Sequence, residues 1–326
     1  MDNREIVMFF NEEEHRYTDQ FNNVYTSATT LIGKYIPAFK ADYWAQKKAA
    51  ERKTSVSAIK EEWKQLTDHA CAKGTEKHGN IEDGINKSSK FKNAIKLPKR
   101  YSNNQMFTLQ QLLDNEGLGK VDLEIFYNSI GKRYPLIYKT IAHFVNQDYE
   151  IYAEVGVYSF QHLISGMIDC LLVRGKEFII LDWKTNKNEI KFNSGYYKKD
   201  KRTGEFTDEW VSKSEFMLYP IDTMSECVGN HYSLQLSLYA HLVELYGFKC
   251  VGLFLAHIRD AYELNEWGMP RKDPKTKLYI PIEGAPEIVQ WHPIKFFKST
   301  IIKLMDYHYE NNAIESKRLT QQSLFA

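Results

Sequence analysis

The sequence predicts an α/β fold: a sheet with a buried central strand, covered by helices. Two features carry this. Residues Leu163–Lys187, LISGMIDCLLVRGKEFIILDWKTNK, read as two strands joined by a tight turn at Arg174-Gly175-Lys176. The second strand, Phe178 to Lys184, is apolar on both faces, which marks a strand covered on two sides. Helical stretches flank this hairpin: Pro135–Gln147 sets Leu136, Ile137, Ile141, Phe144 and Val145 on one stripe, and His231–Tyr246 is strongly amphipathic. At 326 residues, 43% hydrophobic and 14% aromatic, the chain has ample material for a sizeable core.

In chain order, Val7–Phe10, His15–Thr18 and Val24–Ser27 alternate with polar loops as a small N-terminal β-meander. Ser27 is placed to cap a helix opening at Thr26–Ile32. Lys40–Lys53 and Ala58–Asn86 read as helices. The second contains Gly74 and Gly79, each costing about 1 kcal/mol against alanine, a spacing that signals close packing. Residues 87–104 form a basic loop. Its cations, Lys96, Lys99 and Arg100 among them, suit a phosphate backbone or simple solvation. Phe107–Leu113 reads as a helix and Tyr149–Phe160 as a strand, with Glu154 on the face shared by Gly156 and Tyr158. Residues 186–230 are an insertion that carries Tyr196, Tyr197, Lys198, Lys199, Lys201 and Arg202. Rings beside cations suit single-stranded nucleic acid, and equally a charged hairpin tip. Phe248–His257 is a strand, Glu266–Glu283 a hairpin and Ile294–Asn311 a helix, with a frayed tail beyond Lys317. The division expected is 1–66, 67–257 and 258–326, packed as one body.

Lys+Arg is 43 against 42 Asp+Glu, a formal net charge of +1, so the total charge neither demands nor excludes a nucleic-acid partner. No cleavage signature and no run of about 18 apolar residues is present, so a cytoplasmic protein without a membrane partner is expected. Cys71, Cys170, Cys227 and Cys250 form no C-x-x-C pair, which argues against zinc and for free thiols.

The chemistry concentrates at the end of the buried strand. Residues two apart on a strand point the same way, so Asp182 and Lys184 share a face. Charges at a buried strand end cost several kcal/mol, roughly, unless paired. The preceding strand brings up Asp169. Two carboxylates and a lysine make a hard oxygen site suited to Mg²⁺ or Mn²⁺. Taken alone, Asp182 and Lys184 fit a surface ion pair equally well. On helices, His78 and Glu82 stand four apart on one face, as do Gln235 and Tyr239.

Asp169, twelve residues, Asp182, one residue, Lys184, set in GMID and DWKT, resembles the D…D-x-K core of the PD-(D/E)XK nuclease superfamily, closest to its RecB-type branch. Gly74-Thr75-Glu76-Lys77-His78-Gly79-Asn80-Ile81-Glu82 resembles that branch's G-T-x-x-H-x-x-I-E helix, and Gln235–Tyr239 its Q-x-x-x-Y element. More loosely, His15-x-Tyr17 and the Ser27 helix start are similar to phage-encoded and mitochondrial exonucleases. The resemblance covers about residues 67–257. It implies a restriction-endonuclease-like αβββαβ core around a mixed sheet, with Pro135–Gln147 as its first helix. It implies Mg²⁺ or Mn²⁺ held by His78, Asp169, Asp182 and the Trp183 carbonyl, and Lys184 acting on the attacking water or the phosphate. Glu154 becomes a third acid, Gln235 and Tyr239 position substrate, and Glu82 orients the imidazole. A bound dication would depress the Lys184 pKa. Some relatives hold an iron–sulfur cluster, but Cys170 lies inside a core strand and no cysteine follows Cys250, so none is expected here.

The function implied is a Mg²⁺-dependent DNA exonuclease of recombination, repair or phage DNA replication, with DNA and possibly a recombination or replication protein as partners. The alternatives are an endonuclease on branched or flapped DNA with the same site, and an inactive nuclease fold that binds DNA or protein. No G-x-x-x-x-G-K-[ST] motif is present, so no helicase is attached to this chain.

Overall fold

The structure, a computed structural model, describes residues 6–90, 105–113, 117–200, 202–203, 205–213, 215–274, 276 and 278–324. It is a mixed α/β fold in which helices cover both faces of a large mixed sheet. Three short strands open the chain: β1 (Met8–Asn11), β2 (Arg16–Asp19) and β3 (Val24–Ser27). Helix α1 (Ala28–Gly33) follows, with the Ser27 hydroxyl accepting from the Thr30 N–H as its cap. Then come α2 (Ala41–Arg52) and the 33-residue α3 (Val56–Ser88), about 50 Å long. Next are α4 (Leu109–Leu113), α5 (Leu123–Phe126) with a π-turn over Tyr127–Gly131, and α6 (Pro135–Val145). Strands β4 (Glu150–Ser159), β5 (Ile164–Arg174) and β6 (Glu177–Lys184) form an antiparallel meander. The hairpin β7 (Gly195–Lys199) and β8 (Phe206–Ser212), helix α7 (Val228–Glu244), β9 (Lys249–Arg259), β10 (Ile288–Pro293) and α8 (Lys298–Leu324) complete the order.

The N-terminal meander is built into the main sheet, because β3 pairs parallel with β5 through Thr26↔Ile164 and Ser27↔Ser165. The sheet order is β1-β2-β3-β5-β6-β9-β10, with β4 on the other edge of β5. Thus β5 meets β3 at its start and β6 at its end along the same edge. Strand β9 runs parallel to β6, with Asp182 opposite Leu255 and Lys184 opposite His257. Two apolar layers sandwich the sheet. One joins α1, α4, α7 and α8 through Leu31, Leu109, Leu238 and Leu304. The other joins α3, the π-turn and α6 through Ile85, Ile130 and Ile141.

Four elements differ from expectation. Strand β10 adds an antiparallel edge beside β9, and the short α5 starts at an Asp122 cap that accepts from the Glu124 and Ile125 N–H groups. Helix α8 continues to Leu324, since no glycine or proline interrupts it. In α3, Gly74 does pack closely, a Cβ there lying 3.1 Å from Thr185 Oγ1, but nothing lies within 4 Å of a Cβ at Gly79. Gly84 takes that role instead, against Ile130.

The residue before His78 on α3 is a buried lysine. Lys77 is 1% exposed and pairs with Asp260 at 2.7 Å and Glu287 at 2.5 Å. Lys73 also binds Asp260, and Arg133 reaches Glu287 at 3.4 Å and Glu76 at 2.9 Å. The network ties α3 to the end of β9 and the start of β10. Without Lys77, Asp260 is left to Lys73 and Glu287 to Arg133, and both lose the buried ammonium they share. Lys77→Ala is therefore expected to cost about 3–5 kcal/mol of stability, read from denaturant midpoints; a cost below about 1 kcal/mol would show that the cluster contributes little to holding the helix.

Candidate active site

The site forms where β5 and β6 part. Their ladder runs from Arg174↔Glu177 to Cys170↔Leu181 and stops there. Past that point the Trp183 N–H donates to Asp169 Oδ2 at 2.8 Å, so a side chain satisfies a backbone donor that lies beyond the ladder. Trp183 turns its ring into the α3 layer, as do Ile179 and Leu181, while Phe178 and Ile180 face the α7 layer. Asp182 and Lys184 follow the second set, as strand alternation requires. Lys184 Nζ stands 2.5 Å from Asp182 Oδ2 and 4.8 Å from the centre of the Tyr232 ring on α7.

Asp182 is 1% exposed, yet neither of its oxygens has a hydrogen-bond partner. The Lys184 ammonium at Oδ2 forms an ion pair with it and offsets part of its charge. Burial pushes the Asp182 pKa up to about 6, Asp169 adds to this, and Lys184 and His78 oppose it. At Lys184 burial disfavours the charge, but Asp182 and Asp169 outweigh it and raise the ammonium pKa. The direction is opposite to the one expected beside a dication, because here the lysine faces two carboxylates.

His78 comes from α3 to the same place, its Nδ1 3.6 Å from Asp169 Oδ2. Glu82, one turn on, accepts from Asn86 Nδ2 at 3.3 Å. On α7, Gln235 Nε2 donates to the Tyr239 hydroxyl at 3.0 Å. The Tyr239 ring lies against β5 where a Cβ on Gly166 would stand 2.3 Å from it, so only glycine lets the ring approach. Burial holds the Tyr239 pKa well above its ordinary value, and the charges of Asp182 and Asp169 add to that.

Glu154 does not share a face with Gly156 and Tyr158 in the manner expected. It sits at φ +53°, a backbone costing about 1–3 kcal/mol for a residue other than glycine. The alternation inverts across it. Ile151 and Ala153 face the α3 layer, whereas Val155 and Val157 face the α7 layer. Strand β5 inverts opposite it, with Ile168 on the α7 side and Cys170 on the α3 side. Glu154 and Asp169 lie between the ladder pairs Ala153↔Cys170 and Val155↔Ile168, so both carboxylates occupy one fault line in the sheet.

Tyr17 of β2 is a site residue the sequence reading passed over. It is 4% exposed. Burial, then the charges of Glu154 and Asp169, raise its pKa, so its hydroxyl senses both acids. Its only sequence signal is the His15-x-Tyr17 pattern.

Lys96, Lys99, Arg100 and Lys201 fall outside the described residues. Tyr196, Tyr197, Lys198 and Lys199 are on β7, whose hairpin with β8 is a separate two-stranded sheet. Tyr197 packs on Trp210, Lys198 pairs with Glu209, Lys199 lies over Phe206, and the Arg202 N–H binds Asp200. All four cysteines are free thiols.

The donor set at the strand end is two carboxylates and an imidazole, with two buried oxygens left unbonded, which suits a hard cation. Among the described residues, no three His, Cys, Asp or Glu side chains stand close enough together to hold a metal ion in this arrangement. No described helix is long and apolar enough to cross a membrane. No protein-family profile matches the chain, and no curated protein is significantly similar to it in sequence.

A carboxyl whose pKa is higher in the folded than in the unfolded chain costs stability as pH rises through the interval between them, here from about 4 to about 6. Asp182→Asn removes that cost. The metal-free variant is expected to melt above the wild type at pH 8, with the gap closing as pH falls below 5; an equal gap at both pH values would show that Asp182 does not titrate in this range.

Proposed function

We propose that the protein is a divalent-metal-dependent deoxyribonuclease with a restriction-endonuclease-like core, acting from DNA ends. The observation that carries this reading is the Asp182 carboxylate, buried with both oxygens unbonded, beside Lys184 and within reach of the charges of Asp169 and His78. Two carboxylates facing one ammonium leave surplus negative charge in a buried site, which a divalent cation would offset. Residues from three separate elements, α3, β5 and β6, supply the group, and their spacing matches the D…D-x-K and G-T-x-x-H patterns.

Asp169, Asp182, His78 and the Trp183 carbonyl would hold Mg²⁺ or Mn²⁺, which when bound supplies an acidified water and offsets charge on the phosphate. Asp169 is aligned by the Trp183 N–H, which fixes one of its oxygens. Lys184 carries a proton at Nζ, since two carboxylates favour the ammonium. It is placed to hold a phosphate oxygen or to orient the attacking water. Gln235 and Tyr239 form a hydrogen-bonded pair that lines the substrate side, and Tyr17 with Glu154 closes the opposite edge. The chemistry suits a phosphodiester, and both the choice of DNA and the end preference rest on the likeness to exonucleases.

The test is end-labelled linear DNA and covalently closed circles, each single- and double-stranded, with Mg²⁺, Mn²⁺ or EDTA. Linear strands should shorten with either metal, circles should survive, and EDTA should stop the reaction. Lys184→Ala should slow cleavage by about 10²–10⁴-fold while metal still binds, and Asp182→Ala should weaken both. Full activity in EDTA, or normal turnover in Lys184→Ala, would refute the nuclease reading; rapid cutting of circles would replace exonuclease with endonuclease.

A further inference from the structure

A cavity of about 150 Å³ lies just past Lys184, between α3, the Thr185–Lys187 segment that leaves β6, the end of β9 and the ribbon at 262–281. Leu66 and Ala70 of α3 and Tyr262 and Tyr279 of the ribbon line it, together with Lys187 and Arg259. The ribbon is held by backbone hydrogen bonds, Glu263 N–H to the Ile280 carbonyl at 2.9 Å and Ile280 N–H to the Arg271 carbonyl at 3.0 Å. That fixes the two tyrosine rings 5.2 Å apart.

The charges here are unequally committed. Asp260 also lines the cavity, but Lys73 and Lys77 neutralise it. Lys187 makes no ion pair among the described residues; its Nζ lies 4.3 Å from the centre of the Tyr279 ring, and Lys272 lies 5.4 Å from the same ring. Arg259 also lacks an ion pair among the described residues, and its buried Nε has no hydrogen-bond partner. An aromatic face screened by flexible ammonium groups is one that a base can occupy while the ammoniums move to its phosphates.

The cavity is continuous with the strand end. Asn186 lines it, and its side-chain oxygen accepts from the Tyr232 hydroxyl at 2.8 Å, while Tyr232 also faces Lys184. On α3 the same stripe runs from His78 through Gly74, which touches Thr185, to Ala70 and Leu66. That is about 18 Å of helix at 1.5 Å per residue, room for a few nucleotides of extended strand. The cavity is smaller than the roughly 300–1,000 Å³ of a drug-sized ligand site, so it has room for one ring system and none for a base pair.

We infer that this cavity receives a single unpaired nucleotide of the strand being cut, its base against Tyr279 and its phosphates on Lys187 and Arg259. The substrate class that follows is single-stranded DNA or an unpaired strand end. The inference rests on the nuclease reading for the identity of the strand, but its readout is binding and not cleavage.

The probe is a fluorescein-labelled single-stranded oligonucleotide, compared with the blunt duplex made from it, by anisotropy in Ca²⁺. Wild type should bind the single strand more tightly than the duplex. Tyr279→Ala should weaken single-strand binding by about tenfold and Tyr279→Phe should restore it, since the ring supplies the stacking. Lys187→Ala, an exposed change that leaves the fold intact, should lower the salt slope by about one. Wild-type affinity and salt slope in both Tyr279→Ala and Lys187→Ala would overturn the inference, as would a preference for duplex. Cleavage by the wild type together with that result would leave the nuclease reading standing. Tyr279-dependent binding without cleavage under Mg²⁺ or Mn²⁺ would do the reverse.

Discussion

The hydrogen bond from the Trp183 N–H to Asp169 is the constraint on which the site depends. Two neighbouring strands that stay paired leave no room between them for a substrate, and two that part expose backbone donors. Here β6 stops pairing with β5 after Leu181, and the donor beyond that point goes to a carboxylate. The same contact fixes that carboxylate's orientation. Meanwhile β6 keeps its parallel ladder to β9 as far as Lys184↔His257, so its charged end is held rigidly on one edge and open on the other. On the vacated edge of β5 the N-terminal meander takes over through β3, and β2 brings in Tyr17.

Two buried charge clusters meet helix α3, and they differ in how far their charges are matched. Around Lys77, acids and bases meet in numbers that leave each carboxylate with a cation partner. Around Asp182, one lysine faces two carboxylates, and two oxygens have no hydrogen bond. The first cluster locks α3 onto β9 and β10, so His78 arrives at a fixed height above the sheet. The second is left unsatisfied, and the strained Glu154 beside Asp169 adds to the same local cost. Stability lost on the His78 side of the helix is offset at the neighbouring Lys77.

Much of this was legible in the sequence, for reasons that are local. The period of two fixed Asp182 and Lys184 on one face, the glycine turn fixed the β5–β6 hairpin, and Ser27 marked a helix start. Glu154 was misplaced because the inversion at φ +53° has no residue signature; its neighbours Ala153 and Val155 are ordinary strand formers. Lys77 reads as a surface lysine in sequence, and its burial depends on Asp260 and Glu287, far along the chain. Strand β10 was missed because a six-residue edge strand ending in proline carries little pattern. Tyr17 could be placed only once β3 was seen to join β5. His78 met Asp169 as its helix motif implied, although no local rule brings α3 to that strand.

The parallel pairing of β3 with β5 also bears on the order in which the chain is made. The first thirty residues and α3 leave the ribosome early, but β3 has no edge to join until Ile164 and Ser165 have been synthesised, and Lys77 has no counter-ions until Asp260 and Glu287 follow. Contacts of such long sequence separation form late and slowly. The nascent protein therefore carries α3 without the acids that hold Lys77 until Asp260 and Glu287 have been made. The meeting of His78 with Asp169 therefore waits on the last strands of the sheet, because the contacts that hold α3 against it come from the ends of β9 and β10.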